Sequence, residues 1–254
     1  MSEHFIETLK FRNETLFYFG LLCLVAGVLF LLLTKITTIQ VTGVNAWNKP
    51  FKFAFSIFLY SWSMAWYCYY LPFFNIHLFN WAILLLLGFE IVYIAIQAAR
   101  GQLSHFNNSS RVYLFLFQIM GLAATIVTLY TAYVGVLFFQ NDFPNLPLYY
   151  LWSIRFGVII FVVFSFEGAL MGARMSHTIG GTDGSTGIPL LKWSKKHGDL
   201  RVAHFIGMHA LQVLPILAYY FIKNTIGIFS IGLLYGLLAL YTLLQALKGK
   251  PFYK

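Results

Sequence analysis

Charge is what this chain has least of. Only 10% of its 254 residues are Asp, Glu, Lys or Arg, where soluble domains carry roughly 25%. So little charge cannot clothe a surface in water, which argues against an ordinary soluble enzyme or binding domain. Acid is scarcest, with eight Asp and Glu against 17 Lys and Arg. Cysteine is nearly absent. Cys23 and Cys68 both fall inside apolar runs, where they read as small packers and form no disulfide framework. No CxxCH, HExxH or HxxxH pattern occurs, so neither a covalent haem nor a helical zinc pair is announced. Seven prolines in the whole chain leave long apolar runs unbroken.

What is present is hydrophobic length. Fifty-nine per cent of the residues are apolar. They gather into seven spans at about 15–34, 53–71, 79–99, 112–139, 149–173, 203–222 and 226–247, each near the length that crosses a bilayer. The excess of positive charge is not read as a nucleic-acid footprint, because the basic residues hug the ends of these spans. There they attract anionic headgroups, so membrane lipids are the expected partners and nucleic acid is not. No small-residue cleavage site follows the first apolar run, and Glu3, Glu7 and Glu14 flank it, so no cleavable signal peptide is expected.

The basic residues also set a direction. Lys35, Lys49, Lys52, Arg100, Arg111, Arg174, Lys192, Lys195, Lys196, Arg201, Lys248, Lys250 and Lys254 lie on one set of ends and alternating loops. Lys10, Arg12 and Lys223 lie on the other, and Arg155 sits inside the fifth span. The positive-inside bias makes this an all-α, polytopic bundle of seven transmembrane helices, N-terminus outside and C-terminus in the cytoplasm, forming one domain over 1–254. Trp66, Tyr67, Tyr69, Tyr70, Tyr149, Tyr150, Trp152, Tyr219 and Tyr220 mark the outer headgroup level.

Ionisable groups at membrane depth are costly, so they are candidates for function. Using a rise of about 1.5 Å per residue, Glu90 lies roughly 14 Å and Glu167 roughly 9 Å from the cytoplasmic ends of their spans. Gln97 follows Glu90 by seven residues, and Arg174 follows Glu167 by seven, each on the same helical face. In the sixth span His204 sits near the inner interface and His209 deeper. Their five-residue separation puts the rings roughly 140° apart, and Gln212 shares the face of His209. Asp199 is placed to cap this helix, and Pro215 to bend it. A faint echo links Glu90, Ala99-Arg100 and Ser104-His105 with Glu167, Ala173-Arg174 and Ser176-His177.

These residues predict a polar cavity open to the cytoplasm, built from Glu90, Gln97, Glu167, His204, His209 and Gln212. Its mouth is expected at Lys49, Arg100, His105, Arg174, His177, Asp199 and Arg201. Three activities fit. Glu90, Glu167, His204 and His209, helped by His105 and His177, suit a metal or a haem as cofactor. The same set suits proton-linked transport of a small solute or ion. It also suits membrane-embedded acid/base chemistry on a lipid or prenyl substrate. The bland alternative is a structural membrane protein whose polar groups pair between helices. The run Gly180-Gly181-Thr182-Asp183-Gly184-Ser185-Thr186-Gly187 lacks the Lys-Ser/Thr ending of a P-loop and reads as a turn-rich connector, with an anion cradle as the second reading. Lys192, Lys195 and Lys196 beside Trp193 are expected on the inner leaflet. Asn48 is expected to cap the second span, with Pro50 in its first turn.

Three motifs carry a resemblance. They are Trp47-Asn48-Lys49-Pro50-Phe51-Lys52-Phe53, Ala99-Arg100-Gly101 with Ser104-His105-Phe106-Asn107, and His197-Gly198-Asp199-Leu200-Arg201 with His204-Phe205, Gly207 and His209-Ala210-Leu211-Gln212, ending at Leu214-Pro215. Together they resemble an uncharacterised family of bacterial multi-span inner-membrane proteins, from the second span through the sixth. The resemblance implies a bacterial inner membrane and a site on the cytoplasmic side. It implies no activity. The last span has no Lys before Lys248, so retinal bound as a Schiff base is not expected.

Overall fold

The structure is a computed structural model that describes residues 2–184, 187–188 and 191–253. Ser185 and Thr186 of the Gly-rich run and Lys254 of the basic set lie outside the described residues, as does the side chain of Glu3. Among the described residues the fold is all-α apart from two small antiparallel two-stranded sheets and one isolated bridge, Gly187 to Ser194. It divides into two compact units, 1–130 and 131–254.

The first unit opens with α1 (Ser2–Arg12), which the apolar periodicity does not foretell, and α2 (Glu14–Ile36). Between them Asn13 caps α2, its side chain accepting from Leu16 N at 3.0 Å. The same amide forms a reciprocal buried pair with Asn80, at 2.8 and 3.0 Å, so both amides are satisfied away from water. The Arg12 guanidinium lies 3.7 Å over Trp66 and 4.6 Å over Tyr70, a cation–π cluster that ties α1 to the end of the third helix.

A hairpin of β1 (Gln40–Val41) and β2 (Val44–Asn45) follows, turning at Thr42 and Gly43 with φ of 50° and 75°. Two central residues at positive φ match the twist of a tight hairpin. Then come α3 (Asn48–Cys68), α4 (Ile76–Ala99) and α5 (Arg111–Gln140), which contains the unit boundary. Pro50 stands in the first turn of α3, as expected. Asn48 does not cap it. The cap position is Trp47, and the Asn48 amide donates instead to Asn45 O at 3.1 Å, because the hairpin brings that carbonyl within reach.

In the second unit, α6 (Leu148–Ser165) and α7 (Glu167–Arg174) follow one another with a break at Phe166. The sheet of β3 (Thr178–Ile179) and β4 (Gly198–Asp199) leads into α8 (Leu200–Tyr220), and α9 (Thr225–Leu247) closes the chain. Small residues let these helices approach closely. A Cβ on Gly157 would meet Ala210 O at 2.9 Å, and one on Gly207 would overlap the Phe164 side chain. Ile160, Phe164, Ala203, Ala210, Leu214 and Ala239 form the core there. Asp199 caps α8 as expected, accepting from Arg201 N at 3.1 Å, and α8 runs on through a buried Pro215.

Among the described residues, six helical segments are long and apolar enough to cross a membrane: α2, α4, α5, the α6–α7 pair, α8 and α9. Only 22% of the apolar window of α5 or α9 is buried inside the protein, so most of those side chains need an apolar surrounding such as lipid. The remaining expected span, α3, falls short in hydropathy because Tyr60, Ser61, Trp62, Ser63, Trp66 and Tyr67 dilute its apolar run.

Candidate functional site

The second unit holds the densest polar cluster at span depth. It begins at the break between α6 and α7. The Ser165 hydroxyl donates to Phe161 O at 2.8 Å just before it. Past the break the ladder tightens, with Ala169 N bonding Phe166 O at 3.0 Å. The first residue of α7 is Glu167. It is only 6% exposed, and both its carboxylate oxygens are buried with no hydrogen-bond partner among the described residues. An unpartnered charge there costs several kcal/mol on the scale of buried ions. The carboxyl therefore takes its proton, a cation or a donor from something that comes to it.

His204 of α8 packs on the backbone of the same α6–α7 break. Its Nδ1 donates to the Phe164 carbonyl at 2.8 Å, and a Cβ on Gly168, next to Glu167, would lie 3.7 Å from its Cε1. Because the carbonyl only accepts, Nδ1 carries the hydrogen and Nε2 is where the ring gains or loses a proton. His209 repeats the arrangement one face away, its Nδ1 lying 3.2 Å from Gln212 Oε1 and its ring 4.3 Å from that of Phe205. His177 and His209 both lie within electrostatic reach of His204.

At the loop end, His177 Nδ1 donates to Asp183 Oδ2 at 2.9 Å. The Asp183 carboxylate also accepts from the backbone N–H groups of His177 and Thr178 and from the hydroxyls of Ser176 and Thr178. Partial burial alone would raise its pKa. The hydrogen bonds and charge of His177, with Thr178, outweigh that and hold it well below the usual carboxylate range. The amides that hold this carboxylate belong to His177 and Thr178, before the Gly-rich run in which Asp183 itself lies. Asp199 and Arg201, expected at the mouth, form an internal ion pair at 2.6 Å. Asp199 also accepts from Ser194 N at 2.8 Å, while Arg201 donates to Lys192 O at 2.8 Å. Arg174 ends α7 exposed, where the left-handed Met175 turns the chain away.

The first unit holds a second, smaller cluster. Glu90 and Gln97 share the buried face of α4. Gln97 Nε2 donates to Tyr93 OH at 2.8 Å, while its Oε1 is buried without a donor among the described residues. Lys49, at the start of α3, is the cation that acts on Glu90, and its Nζ lies 6.0 Å over the Phe53 ring. His105 packs on that ring at 5.4 Å and bonds Ser104 Oγ at 3.2 Å. Arg100 is exposed at the end of α4.

No group of three His, Cys, Asp or Glu side chains converges as a metal-binding set among the described residues. Arg155 is occupied structurally, donating twice to Phe138 O at 2.8 and 3.0 Å. Sequence reasoning missed Asp183 as a site residue. It is the only acid in the long loop before Asp199, and that scarcity was the available signal. It also missed Tyr93 and the Phe164 carbonyl, which no residue pattern marks. The chain matches no protein-family model, no curated protein and no solved structure.

Proposed function

We propose that this chain is a proton-linked transporter of a small solute in a bacterial inner membrane, with Glu167 and His204 carrying the proton. The observation behind this reading is the Glu167 carboxyl, buried at a break in a membrane-length span and without a hydrogen-bond partner among the described residues, at a break whose Phe164 carbonyl takes the Nδ1 hydrogen of His204. Chains of Glu and His at span depth are the usual material of proton relays. Broken helices at the binding depth are common in secondary transporters. A resident metal or haem, the other cofactor reading, has no comparable observation in its favour.

The proposed topology has seven spans, N-terminus outside and C-terminus inside, with α3 as the seventh. At 21 residues α3 is about 31 Å long, enough for a hydrocarbon core of about 30 Å. Lys49 and Lys52 stand at one end of it and Trp66, Tyr69 and Tyr70 at the other. Six spans would put both termini on one side. Seven leave the thirteen-to-three basic asymmetry intact. The three-motif resemblance to bacterial multi-span inner-membrane proteins belongs to the same reading. A cytoplasm-only reporter fused to the C-terminus is expected to be active, and one fused to the N-terminus silent. Equal activity at both ends would sink the odd span count.

The transport test uses the purified chain in vesicles loaded with a pH-sensitive dye. A potassium diffusion potential drives uptake, and a defined mixture of amino acids, hexoses and organic amines is supplied outside. Wild-type vesicles should acidify faster than protein-free ones, and Glu167→Gln should lose that flux. Acidification no faster than in protein-free vesicles overturns the reading. Turnover of an added lipid without proton movement would replace it with membrane-embedded catalysis.

A further inference from the structure

We propose that Lys195, Lys196, Lys248 and Lys250, with the exposed rings of Phe252 and Tyr253, form a docking surface for an anionic phospholipid where α9 ends and α8 begins. It goes beyond the transport reading and does not depend on it. The surface is assembled by the way the chain leaves α9. Gly249 takes a φ of 70° directly after the cap residue Lys248. Its N–H bonds Ala246 O at 2.9 Å, and Lys250 N bonds Gln245 O at 3.1 Å. These are the two bonds of a Schellman turn, which glycine closes without a Cβ penalty. The turn sends the tail back toward the loop before α8, and Gln245 Nε2 donates to Pro251 O at 2.6 Å to hold it there.

The tail and that loop are joined at several points. The rings of Trp193 and Phe252 meet edge to face with centroids 6.2 Å apart, and Trp193 is buried. A Cβ on Gly198 would overlap the Ala246 carbonyl, and one on Gly249 would lie 3.4 Å from Ile179 O. Lys195 and Lys196 stand between Trp193 and Gly198, while Lys248 and Lys250 stand between Ala246 and Phe252. Two short stretches pinned to each other at both ends thus carry four lysines, and all four are exposed. Among the described residues none of the four has an ion-pair partner. The acids of this end are committed elsewhere, Asp199 to Arg201 at 2.6 Å and Asp183 to His177 at 2.9 Å.

The neighbouring apolar surface says what kind of anion fits. Helices α8 and α9 are both long and apolar enough to cross a membrane, and α8 begins at Leu200 where α9 ends at Leu247. The lysines therefore stand where these segments leave the apolar layer, at headgroup level. Directly below them Phe205, Leu244 and Leu247 are exposed, and the Phe205 ring packs edge-on against Trp193 at 5.4 Å. A small soluble anion would use the lysines alone. A phospholipid uses both parts, its phosphate on the lysines and its first methylenes on Phe205, Leu244 and Leu247. Phe252 and Tyr253 then lie at the interfacial depth that aromatic rings favour.

The test is native mass spectrometry of the full chain in a nonionic detergent, with phosphatidylglycerol and phosphatidylcholine of the same acyl chains supplied in equal amounts. Wild type should retain phosphatidylglycerol in preference by roughly fivefold or more, and the quadruple variant Lys195→Gln, Lys196→Gln, Lys248→Gln, Lys250→Gln should lose most of that preference. A control that removes four other exposed bases, Lys10→Gln, Lys35→Gln, Arg100→Gln and Arg111→Gln, should keep it. Phosphatidylglycerol should also raise the melting temperature of wild type, and about 1 M salt, with a Debye length of about 3 Å, should remove most of the rise. An unchanged preference in the quadruple variant overturns the surface, and an equal fall in the control assigns the preference to the overall charge of the chain instead. A melting rise as large with glycerol phosphate as with the lipid overturns the phospholipid as occupant. If the quadruple variant does not fold, Lys248→Gln with Lys250→Gln decides alone, and an unchanged preference there overturns the surface. A chain that moves no protons leaves each of these outcomes as it stands.

Discussion

Glu90 and Glu167 are the same side chain in the same kind of setting, and the protein treats them differently. Each is only 6% exposed and lies in a segment long and apolar enough to cross a membrane. Glu90 stands in the middle of α4, an unbroken helix, and Lys49 supplies an opposite charge. Glu167 stands at a break between two helices, with no partner for either oxygen among the described residues, and His204 is anchored to the Phe164 carbonyl of the same break. The charge of Lys49 offsets part of the cost of burying Glu90, while Glu167 has no such cation acting on it and its charge is released only by a proton or ligand. The second unit leaves its acid without a partner among the described residues, a group that changes state when a proton or ligand arrives.

That contrast is sharpest in a paired substitution. Glu167→Gln should abolish dye acidification, a loss of roughly tenfold or more. It should also raise the melting temperature, because it removes a buried charge with no partner, worth on the order of 1 kcal/mol. Glu90→Gln should do the reverse. It removes the negative charge that acts on Lys49 and should lower stability by up to about 1 kcal/mol, while flux remains comparable to wild type. If both variants lose flux equally and neither melts higher, the two acids are alike and the contrast fails.

Helix packing differs in the same direction. The α6–α8 contact depends on absent side chains, since a Cβ on Gly207 would overlap Phe164. In α4 a Cβ on Gly88 would meet only Phe19 Cε2, at 4.0 Å. Gly207→Leu should therefore cost about 1–3 kcal/mol by overpacking. Gly88→Ala should gain about 0.5–1 kcal/mol from lower backbone entropy in the unfolded chain. Melting curves of the two variants in one detergent decide it, and equal shifts would mean that the close approach of α6 to α8 is not needed.

Much of this was legible in the sequence, and the illegible parts share a cause. Apolar runs placed the helices because burial or lipid is the only fate for such lengths. The Asp199 cap was legible because a cap acts over two or three residues. The five-residue spacing of His204 and His209 correctly put them on different faces, one against Phe164 and the other against Gln212. The break before Glu167 was hidden, since Ser165-Phe166 contains neither Gly nor Pro and no residue pattern marks it. Asn48 was misread because its partner, Asn45 O, is brought near only by the hairpin. Asp183 was passed over because its donors converge only once the chain has folded back on residues 176–178.

The two loops that follow these acids carry the smallest of the expected differences. In the first unit the turn after α4 is built on an amide. Asn107 Oδ1 accepts from Ser109 N at 3.1 Å, and its Nδ2 donates to Leu103 O at 2.9 Å. In the second unit the corresponding turn after α7 is built on the Asp183 carboxylate, whose pKa is held below its ordinary value by His177 and Thr178. A group depressed in the folded state contributes stability that is fully present above its unfolded pKa, about 3.9 for Asp. That contribution is lost as pH falls through the lower folded value. The melting gap between wild type and Asp183→Asn should therefore hold from neutral pH down to about pH 4 and close only below it. Asn107→Ala removes no charge, so its gap should stay flat over the same range. A closing gap for Asn107→Ala, or a flat one for Asp183→Asn, would mean that the carboxylate is not what holds the second loop.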